Sequence, residues 1–208
     1  NSQHIIKAKQ TNVQIQAMQT IYNFDCGSVD LEVTFTSPLL LKKLEILTRP
    51  VSYITYKVTP KDGKSHKARV LLSASSNIAV NEPNQEVKAV VLKATGVSLL
   101  KVGTTQQPVL KKKGDDLRID WGYFYVGADQ ASTKQSITTS AYAAINEFTA
   151  GTLGTNTADV SGKTLSLNTC IDLGNATASN AAKGHMLLGY DELYAVQYFH
   201  TNLRPWWN

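Results

Sequence analysis

Two pairs of adjacent carboxylates are the residues whose type and spacing come nearest to hydrolytic chemistry. Asp115 and Asp116 follow a glycine, and Asp191 and Glu192 stand between tyrosines. Glycosidases use two carboxylates about 5 to 10 Å apart across a sugar ring, whereas neighbours on a strand point to opposite faces. We therefore interpret Asp115-Asp116 as a polar turn. Tyr190, Asp191 and Glu192 form our candidate binding site, because aromatic rings beside carboxylates suit polar ligands.

Other catalytic and metal-binding patterns are missing from the sequence. No Gly-x-Ser-x-Gly turn occurs that would present an activated serine, and no glycine-rich phosphate loop precedes a helix. The histidines at positions 4, 66, 185 and 200 stand alone, without a second histidine or a cysteine at metal-ligand spacing. We expect no catalytic residue, no metal site and no cofactor in this chain.

The two cysteines, Cys26 and Cys170, are far apart in the sequence and form no metal motif. They would form a disulfide only if the fold placed them side by side. We favour two free, buried thiols, because cysteine often packs as a small hydrophobic residue.

The composition is typical of a globular chain with a polar, lightly charged surface. Hydrophobic residues make up 42% and charged residues 18% of the 208 positions. No apolar run reaches the ~20 residues of a membrane span. The net charge is +5, but the basic residues are scattered apart from a run at 111–113, which lies beside Asp115 and Asp116. We interpret this run as a solvated loop and expect no nucleic-acid partner.

Alternating apolar and polar residues predict β-strands along much of the chain. The clearest run is 29–36, and two β-branched runs, 86–93 and 97–102, flank a Thr95-Gly96 turn and predict a hairpin. Short strands joined by short turns favour antiparallel pairing. The predicted fold class is all-β, an antiparallel β-sandwich with long loops and little helix.

Three segments need separate interpretation. Residues 39–47 fit either a buried strand or a short helix, and residues 141–148 predict one or two helical turns. In the run 118–126, Trp121, Tyr123 and Tyr125 share one face of a predicted strand. This face is more typical of a core than of a surface that stacks on sugars, because large aromatic residues dominate β cores.

Aromatic residues crowd into the last part of the chain, residues 190–208. We interpret Tyr194, Tyr198, Trp206 and Trp207 as an interdomain surface. For the two tyrosines, a place in the core of this domain remains an equal alternative, because their four-residue spacing fits one face of a helix.

The chain is accordingly divided into a β-sandwich domain, residues 1–189, and an aromatic-rich connector, residues 190–208. The connector is expected to lead toward a partner that is absent from this sequence. Pro205 supports an interface role for the two residues after it, because it turns the chain just before them.

Three stretches resemble the N-terminal β region of glutaminase A-like proteins. Residues 19–38 read QTIYNFDCGSVDLEVTFTSP, residues 116–125 read DLRIDWGYFY, and residues 188–207 read LGYDELYAVQYFHTNLRPWW. The resemblance spans nearly the whole chain. One departure is His200, where the family pattern leads us to expect glycine after Tyr-Phe.

The resemblance implies a supersandwich-like β domain that precedes an (α/α)6 helical toroid, as in six-hairpin glycosidases. It implies an exported hydrolase, secreted, periplasmic or on the cell surface, that converts glutamine to glutamate and ammonia. The toroid of the same polypeptide would carry the catalytic centre, so no catalytic residue is transferred to this chain.

Three functions follow as hypotheses. The first is a non-catalytic accessory domain of such an amidohydrolase. The second is a carbohydrate-binding module, which an exposed, coplanar aromatic pair on one sheet face would favour. The third is an autonomous glycosidase-like enzyme, which two facing carboxylates in a cleft would favour.

Overall fold

A computed structural model describes residues 5–155 and 158–207, so His4 lies outside the described residues. Antiparallel strands predominate. Within these ranges, helix is confined to α1 (Leu44–Leu47), α2 (Ala141–Ala150) and a 3-10 turn at Ser76–Ala79. The predicted all-β class with little helix is confirmed. None of the described helices is long and apolar enough to cross a membrane.

The strands make three sheets. In chain order, the strands of the described residues are β1 (Lys9–Ile15), β2 (Gln19–Asp25), β3 (Val29–Thr36), β4 (Val51–Pro60), β5 (His66–Ser75), β6 (Val87–Ala94), β7 (Val97–Thr104), β8 (Tyr123–Asp129), β9 (Thr133–Thr138), β10 (Val160–Gly162), β11 (Ser166–Ala176), β12 (Ala182–Asp191), β13 (Val196–Tyr198) and β14 (Thr201–Leu203). The large sheet has the order β1-β2-β3-β4-β12-β8-β7-β6-β10, the small sheet β5-β11-β9, and β13 pairs with β14.

Sequence-local turns make part of this pairing, and chain-distant strands complete it. The predicted hairpin of β6 and β7 is confirmed, with Val97 opposite Ala94 and Gly96 at a φ of +77° in the turn. In contrast, β12 inserts between β4 and β8, and β11 inserts between β5 and β9. Both insertions bring together strands that are far apart in the sequence.

The core lies between the large and the small sheet. Alternate residues of β7 and β8, among them Leu100, Val102 and Val126, are fully buried on the face that meets the small sheet. Leu167 of β11 and Ile137 of β9 close this cluster from the other side. Burial of one face of each sheet is the arrangement that the period-2 pattern predicts.

A polar bridge crosses this core. Gln135 of β9 is 1% exposed, and its amide nitrogen donates to the carbonyl oxygen of Val126 and to the hydroxyl of Thr169, both at 3.1 Å. Its amide oxygen accepts a hydrogen bond from Ser98 Oγ at 2.7 Å. One side chain therefore links β9 to β7, β8 and β11. Buried amides of this kind hold two sheets in register when all their groups are paired.

Two predicted boundaries differ from the structure. The strand expected at 118–126 begins only at Tyr123, because Gly122 adopts a φ of +123° that ends the extended run. Strand β12 continues to Asp191, so Tyr190 and Asp191 belong to the sheet rather than to a connector that starts after residue 189.

The ambiguous segments resolve as short helices. The single turn α1 lies within 39–47, and the helix predicted at 141–148 is confirmed as α2, which begins at the capping hydroxyl of Ser140 and ends at Gly151. Ala144 is the buried residue of α2. It packs with Leu153 and Cys170 on the outer face of the small sheet.

The cysteines are both free, as predicted, but only Cys170 is buried. The expectation of a buried thiol at position 26 is wrong, because Cys26 lies at the exposed turn between β2 and β3. Partial burial, followed by the Asp25 and Asp30 carboxylates, raises the pKa of Cys26.

Candidate functional site

The candidate site lies on the outer face of the large sheet, on β7, β8 and β12. Because Leu100, Val102 and Phe124 point into the core, the alternating residues between and beside them point outward. The outward residues that carry chemistry are Lys101, Tyr123, Tyr125 and Asp191. We refer to these four residues and Trp207 as the outer-face cluster.

Lys101 is held by the two tyrosines. Its Nζ lies 3.6 Å from the ring centroid of Tyr123 and 5.9 Å from that of Tyr125, which is cation–π geometry. The two rings lie 6.5 Å apart and are inclined by 65°. They are therefore not the coplanar pair that would favour a sugar-binding face.

The interpretation of this aromatic stripe as a core face is wrong. Phe124 and Val126, the residues between the tyrosines, occupy the core, while Tyr123 and Tyr125 lie half-buried on the opposite face. Trp121 precedes the strand, and its Nε1 donates to the carbonyl oxygen of Tyr194 at 3.3 Å. Period-2 alternation predicts which residues share one face of a strand, but it does not predict which of the two faces packs against the second sheet.

Next to Tyr125 the sheet carries a small cavity of about 160 Å³. Its lining residues are Pro50, Tyr125, Gly189, Tyr190, Asp191 and Trp207. Burial, followed by the charges of Asp191 and Tyr123, raises the pKa of Tyr125 to about 12. The phenol is thus a neutral donor at physiological pH. Trp207 lines the same cavity, and its Nε1 is buried without a hydrogen-bond partner among the described residues.

The structure separates the three residues of the predicted binding site. Asp191 lines this cavity, and its Oδ1 accepts a hydrogen bond from the backbone N–H of Leu193 at 3.2 Å. Tyr190 also lines it, but its ring packs against the core cluster and its hydroxyl donates to the carbonyl of Ile119 at 2.9 Å. Burial raises the pKa of Tyr190. Glu192 is not among the lining residues.

A second cavity of about 310 Å³ lies on the other side of Tyr123. Lys88, Val90, Leu92 and Lys101 contribute to its lining. Gln107 closes one end, since its Nε2 donates to the carbonyl oxygens of Thr104 and Gly122 at 2.9 and 3.0 Å, and its Oε1 accepts from the N–H of Gly122. Sequence reasoning missed Lys101 and Gln107, because neither belongs to a motif.

The four residues predicted to form an interdomain surface differ in exposure. Trp206 is 60% and Tyr198 62% exposed, whereas Tyr194 and Trp207 are half-buried. Tyr194 lies 5.9 Å beneath the guanidinium of Arg204, and Trp206 Nε1 donates to Thr48 Oγ1. Tyr194 and Tyr198 lie on an irregular turn and a strand, so the helical spacing considered for them is wrong.

The segment before β4, which Trp206 contacts through Thr48, also carries exposed leucines. Leu41 and Leu44 are 80% and 66% exposed, and Thr48, which Trp206 contacts, ends the helix of Leu44. Phe199, at the tip of the β13–β14 hairpin, is 81% exposed. We call Tyr198, Phe199, Trp206, Leu41 and Leu44 the C-terminal apolar surface.

The described residues hold no group of three or more histidine, cysteine, aspartate or glutamate side chains that would suit a metal ion. Within the described part of the chain, Asp191 is also the one carboxylate that lines the small cavity of the outer face. Asp115 and Asp116 lie on an exposed loop. On the same stretch, Lys112 pairs with Glu82 at 2.8 Å, as expected for a solvated run of charge.

Comparison with known proteins identifies the family but not an activity. The family model described as "Domain of unknown function (DUF5127)" matches residues 18–208. The chain belongs to the DUF5127 family. No curated protein matches this DUF5127 chain.

Solved structures that are similar to the DUF5127 chain include one with a low level of similarity. It is the crystal structure of a putative aldose 1-epimerase from Escherichia coli K12, with 9% sequence identity and a TM-score of 0.44. The match covers 90% of this chain and 69% of the other. A similarity this low does not extend the epimerase assignment to the DUF5127 chain.

Proposed function

We propose that this chain is the non-catalytic N-terminal β domain of an exported glutaminase-like amidohydrolase. The whole enzyme would hydrolyse glutamine to glutamate and ammonia, in the extracellular space, in the periplasm or at the cell surface. An (α/α)6-type helical domain of the same polypeptide would carry the catalytic centre. Support comes from the three stretches that resemble glutaminase A-like proteins and from the C-terminal apolar surface.

The C-terminal apolar surface is the observation that carries the proposed packing. A large exposed apolar area on a domain usually marks a partner surface, and the Trp206–Thr48 hydrogen bond joins the C-terminal part of this surface to α1. Each large aromatic side chain buries on the order of 150–250 Å² when covered, so three such rings and two leucines would form a substantial contact. A helical domain that presents an apolar helix face to this surface would remove it from water.

The outer-face cluster supports a binding rather than a catalytic role. It offers the neutral phenol of Tyr125 beside the Asp191 carboxylate and the ring of Trp207, and a lysine that is held by Tyr123. Hydrolysis of an amide needs an activated nucleophile or a general base that faces the scissile carbonyl. A cluster of this kind would position a polar group without performing such a step.

Glutamine turnover tests the proposal that the helical domain, and not this β domain, carries the catalytic centre. We expect the full-length protein to release glutamate and ammonia from glutamine, and residues 1–208 alone to release none. Both proteins would be assayed for ammonia at equal concentration. Turnover by residues 1–208 that a single substitution within them abolishes would contradict the proposal, as would a folded full-length protein without turnover.

A matched pair of tryptophan variants tests the proposed packing. We expect Trp206→Ala to lower the melting temperature of the full-length protein by several degrees and to leave residues 1–208 nearly unchanged, because Trp206 is mostly exposed in this domain. Trp207→Ala serves as the control and should lower both melting temperatures, because Trp207 is half-buried in this domain and its Nε1 is shielded from solvent. An equal loss from Trp206→Ala in both proteins would contradict an interdomain role.

A carbohydrate-binding module is the second candidate, and one aromatic pair favours it. Tyr22 and Phe24 of β2 lie side by side with centroids 6.4 Å apart and rings inclined by only 21°. Both rings are half-buried, and Phe35 stands edge-on to Tyr22 at 5.9 Å. Retention of the chain on an insoluble polysaccharide, lost in Tyr22→Ala, would favour this candidate.

A further inference from the structure

A cavity of about 440 Å³ lies on the outer face of the small sheet, on the side away from the large sheet. Its floor is formed by β5, β11 and β9, and the segment that follows α2 contributes Gly151 and Leu153 to its wall. This volume is in the range of small-molecule sites. Neither the proposed glutaminase function nor the outer-face cluster involves this cavity.

The charge of the cavity is strongly asymmetric. Lys67, Arg69 and Lys134 line it together with a single carboxylate, Asp172. Asp172 is already engaged, because its Oδ2 lies 3.3 Å from Lys67 Nζ and its Oδ1 accepts the N–H of Gly174 at 2.9 Å. The Gly174 hydrogen bond first, and then Lys67, lower the pKa of Asp172, so it remains an anion at neutral pH.

Arg69 and Lys134 remain as the two cations without an anionic partner. In the described residues, neither side chain forms an ion pair with a carboxylate within 4.0 Å. The charge of Arg69 contributes, after Gly174 and Lys67, to lowering the pKa of Asp172, but the ion pair of Asp172 is with Lys67. Three cations and a single carboxylate on one concave surface leave a net positive charge that attracts anions, and the walls of the cavity concentrate their field.

The strand register places both cations on the same face of the small sheet, on either side of β11. Lys134 on β9 lies opposite Cys170, and Arg69 on β5 lies opposite Asp172. Because residues 170 and 172 share one face of β11, both cations stand on that face, on either side of the strand. Neighbouring strands are about 4.8 Å apart, so their Cα atoms lie on the order of 10 Å apart across β11. Side chains of this length span that gap.

Arg69 is also held in place by the helix that covers the sheet. Its guanidinium lies over the ring of Phe148 at 5.0 Å from the centroid. A Cβ placed on Gly151 would lie 3.9 Å from Arg69 Nη1, so this group reaches the end of α2. A stacked guanidinium keeps its N–H edge free to bind a planar or tetrahedral oxyanion through two hydrogen bonds.

We propose that this cavity is a binding site for a small organic anion whose carboxylate or phosphate group is held between Arg69 and Lys134. Leu153 and the buried thiol of Cys170 form the apolar part of the lining, against which the carbon skeleton of the ligand packs. Lys67 and Asp172 form the polar rim. The two free cations suit a ligand that carries two negative charges.

The test is a titration of the full chain with inorganic phosphate and, separately, with succinate at low ionic strength, followed by backbone amide NMR. We expect saturable shifts at residues 134, 151 and 170. Arg69→Gln and Lys134→Gln should each weaken binding about tenfold, the size expected for a charge-assisted hydrogen bond. Tighter binding of phosphate would assign the site to phosphate groups, and tighter binding of succinate to carboxylates.

Lys88→Gln is the matched control, because Lys88 is an exposed strand lysine that pairs with Asp159 at 2.7 Å, away from this cavity. It should leave both affinities unchanged. Lys134→Gln changes an exposed side chain, so its result stands even if Arg69→Gln disturbs the packing of Phe148. Lack of saturation by both anions in the unmodified chain would overturn the proposal, and so would an equal loss of affinity in Lys88→Gln.

Discussion

Replacement of Gln135 by alanine is expected to lower the free energy of unfolding by about 3 kcal/mol. The amide of Gln135 bonds the hydroxyl of Ser98, the carbonyl of Val126 and the hydroxyl of Thr169 in the centre of the core. Its removal takes a hydrogen-bond partner from each of these three groups, leaves the Ser98 and Thr169 hydroxyls without the Gln135 amide in the core, and opens a cavity between the sheets. Each unpaired buried polar group costs about 1–3 kcal/mol, which sets the expected size.

Chemical denaturation of the variants measures this effect. Gln135→Leu keeps the volume and should recover only part of the loss, because the Ser98 and Thr169 hydroxyls still lack the Gln135 amide. Adding Ser98→Ala to Gln135→Leu removes one of the orphaned groups and should restore stability relative to Gln135→Leu alone. Gln14→Ala on the exposed strand β1 is the control, expected within about 0.5 kcal/mol of the original chain. A loss below about 1 kcal/mol in Gln135→Ala would rule out the bridge as a main contributor to stability.

Gly122→Ala is expected to destabilise the domain by about 4 kcal/mol or to prevent folding. Gly122 has a φ of +123°, which side-chain-bearing residues rarely adopt. A Cβ at this position would also collide with the carbonyl oxygen of Asp191 and with the Cα of Glu192. Both obstacles are backbone atoms at the end of β12, so relief would require the strand to move.

The control variant Gly114→Ala separates the cost of the positive φ from the cost of the steric collision of a Cβ. Gly114 has a φ of +145°, but a Cβ placed there meets no atom within 4 Å. We expect this variant to lose only the backbone strain, about 1–2 kcal/mol, as measured by thermal unfolding. Similar losses of stability in Gly122→Ala and Gly114→Ala would contradict this prediction, because they would show that a Cβ at residue 122 does not collide with the end of β12.

Gly122 also bears on the outer-face cluster. Its N–H and carbonyl are both bonded by Gln107, and Tyr123 follows it directly as the first residue of β8. The glycine therefore lets the chain turn into the strand that carries Tyr123 and Tyr125. A variant that folds with residue 122 altered would be expected to misplace both rings against Lys101.

Local patterns in the sequence were sufficient for many individual elements. The β6–β7 hairpin and the α2 helix were predicted because their signals, a Thr-Gly turn and a helical spacing, lie within a few residues of each other. The strand at 118–126 was misplaced because a positive φ at Gly122 interrupts an otherwise regular alternation. Glycine adopts both extended and positive-φ backbone conformations, so the alternating pattern alone does not show whether the strand continues through Gly122 or ends there.

By itself, the sequence determined the all-β class and the alternation within each strand, because period 2 is a local property of an extended chain. The tertiary structure decided which face of each alternating run meets the second sheet. In the structure, Tyr123 and Tyr125 lie on the outer face of the large sheet together with Asp191 and Trp207, and Gln135 lies in the core.

The cationic cavity was equally out of reach of the sequence. Arg69, Lys134 and Cys170 belong to three strands that become neighbours only when β11 pairs with β5 on one side and β9 on the other. No motif joins these residues, because their spacing in the chain is arbitrary. Strand order and register depend on long-range packing of the whole core, and that packing alone decided which dispersed charges share a surface.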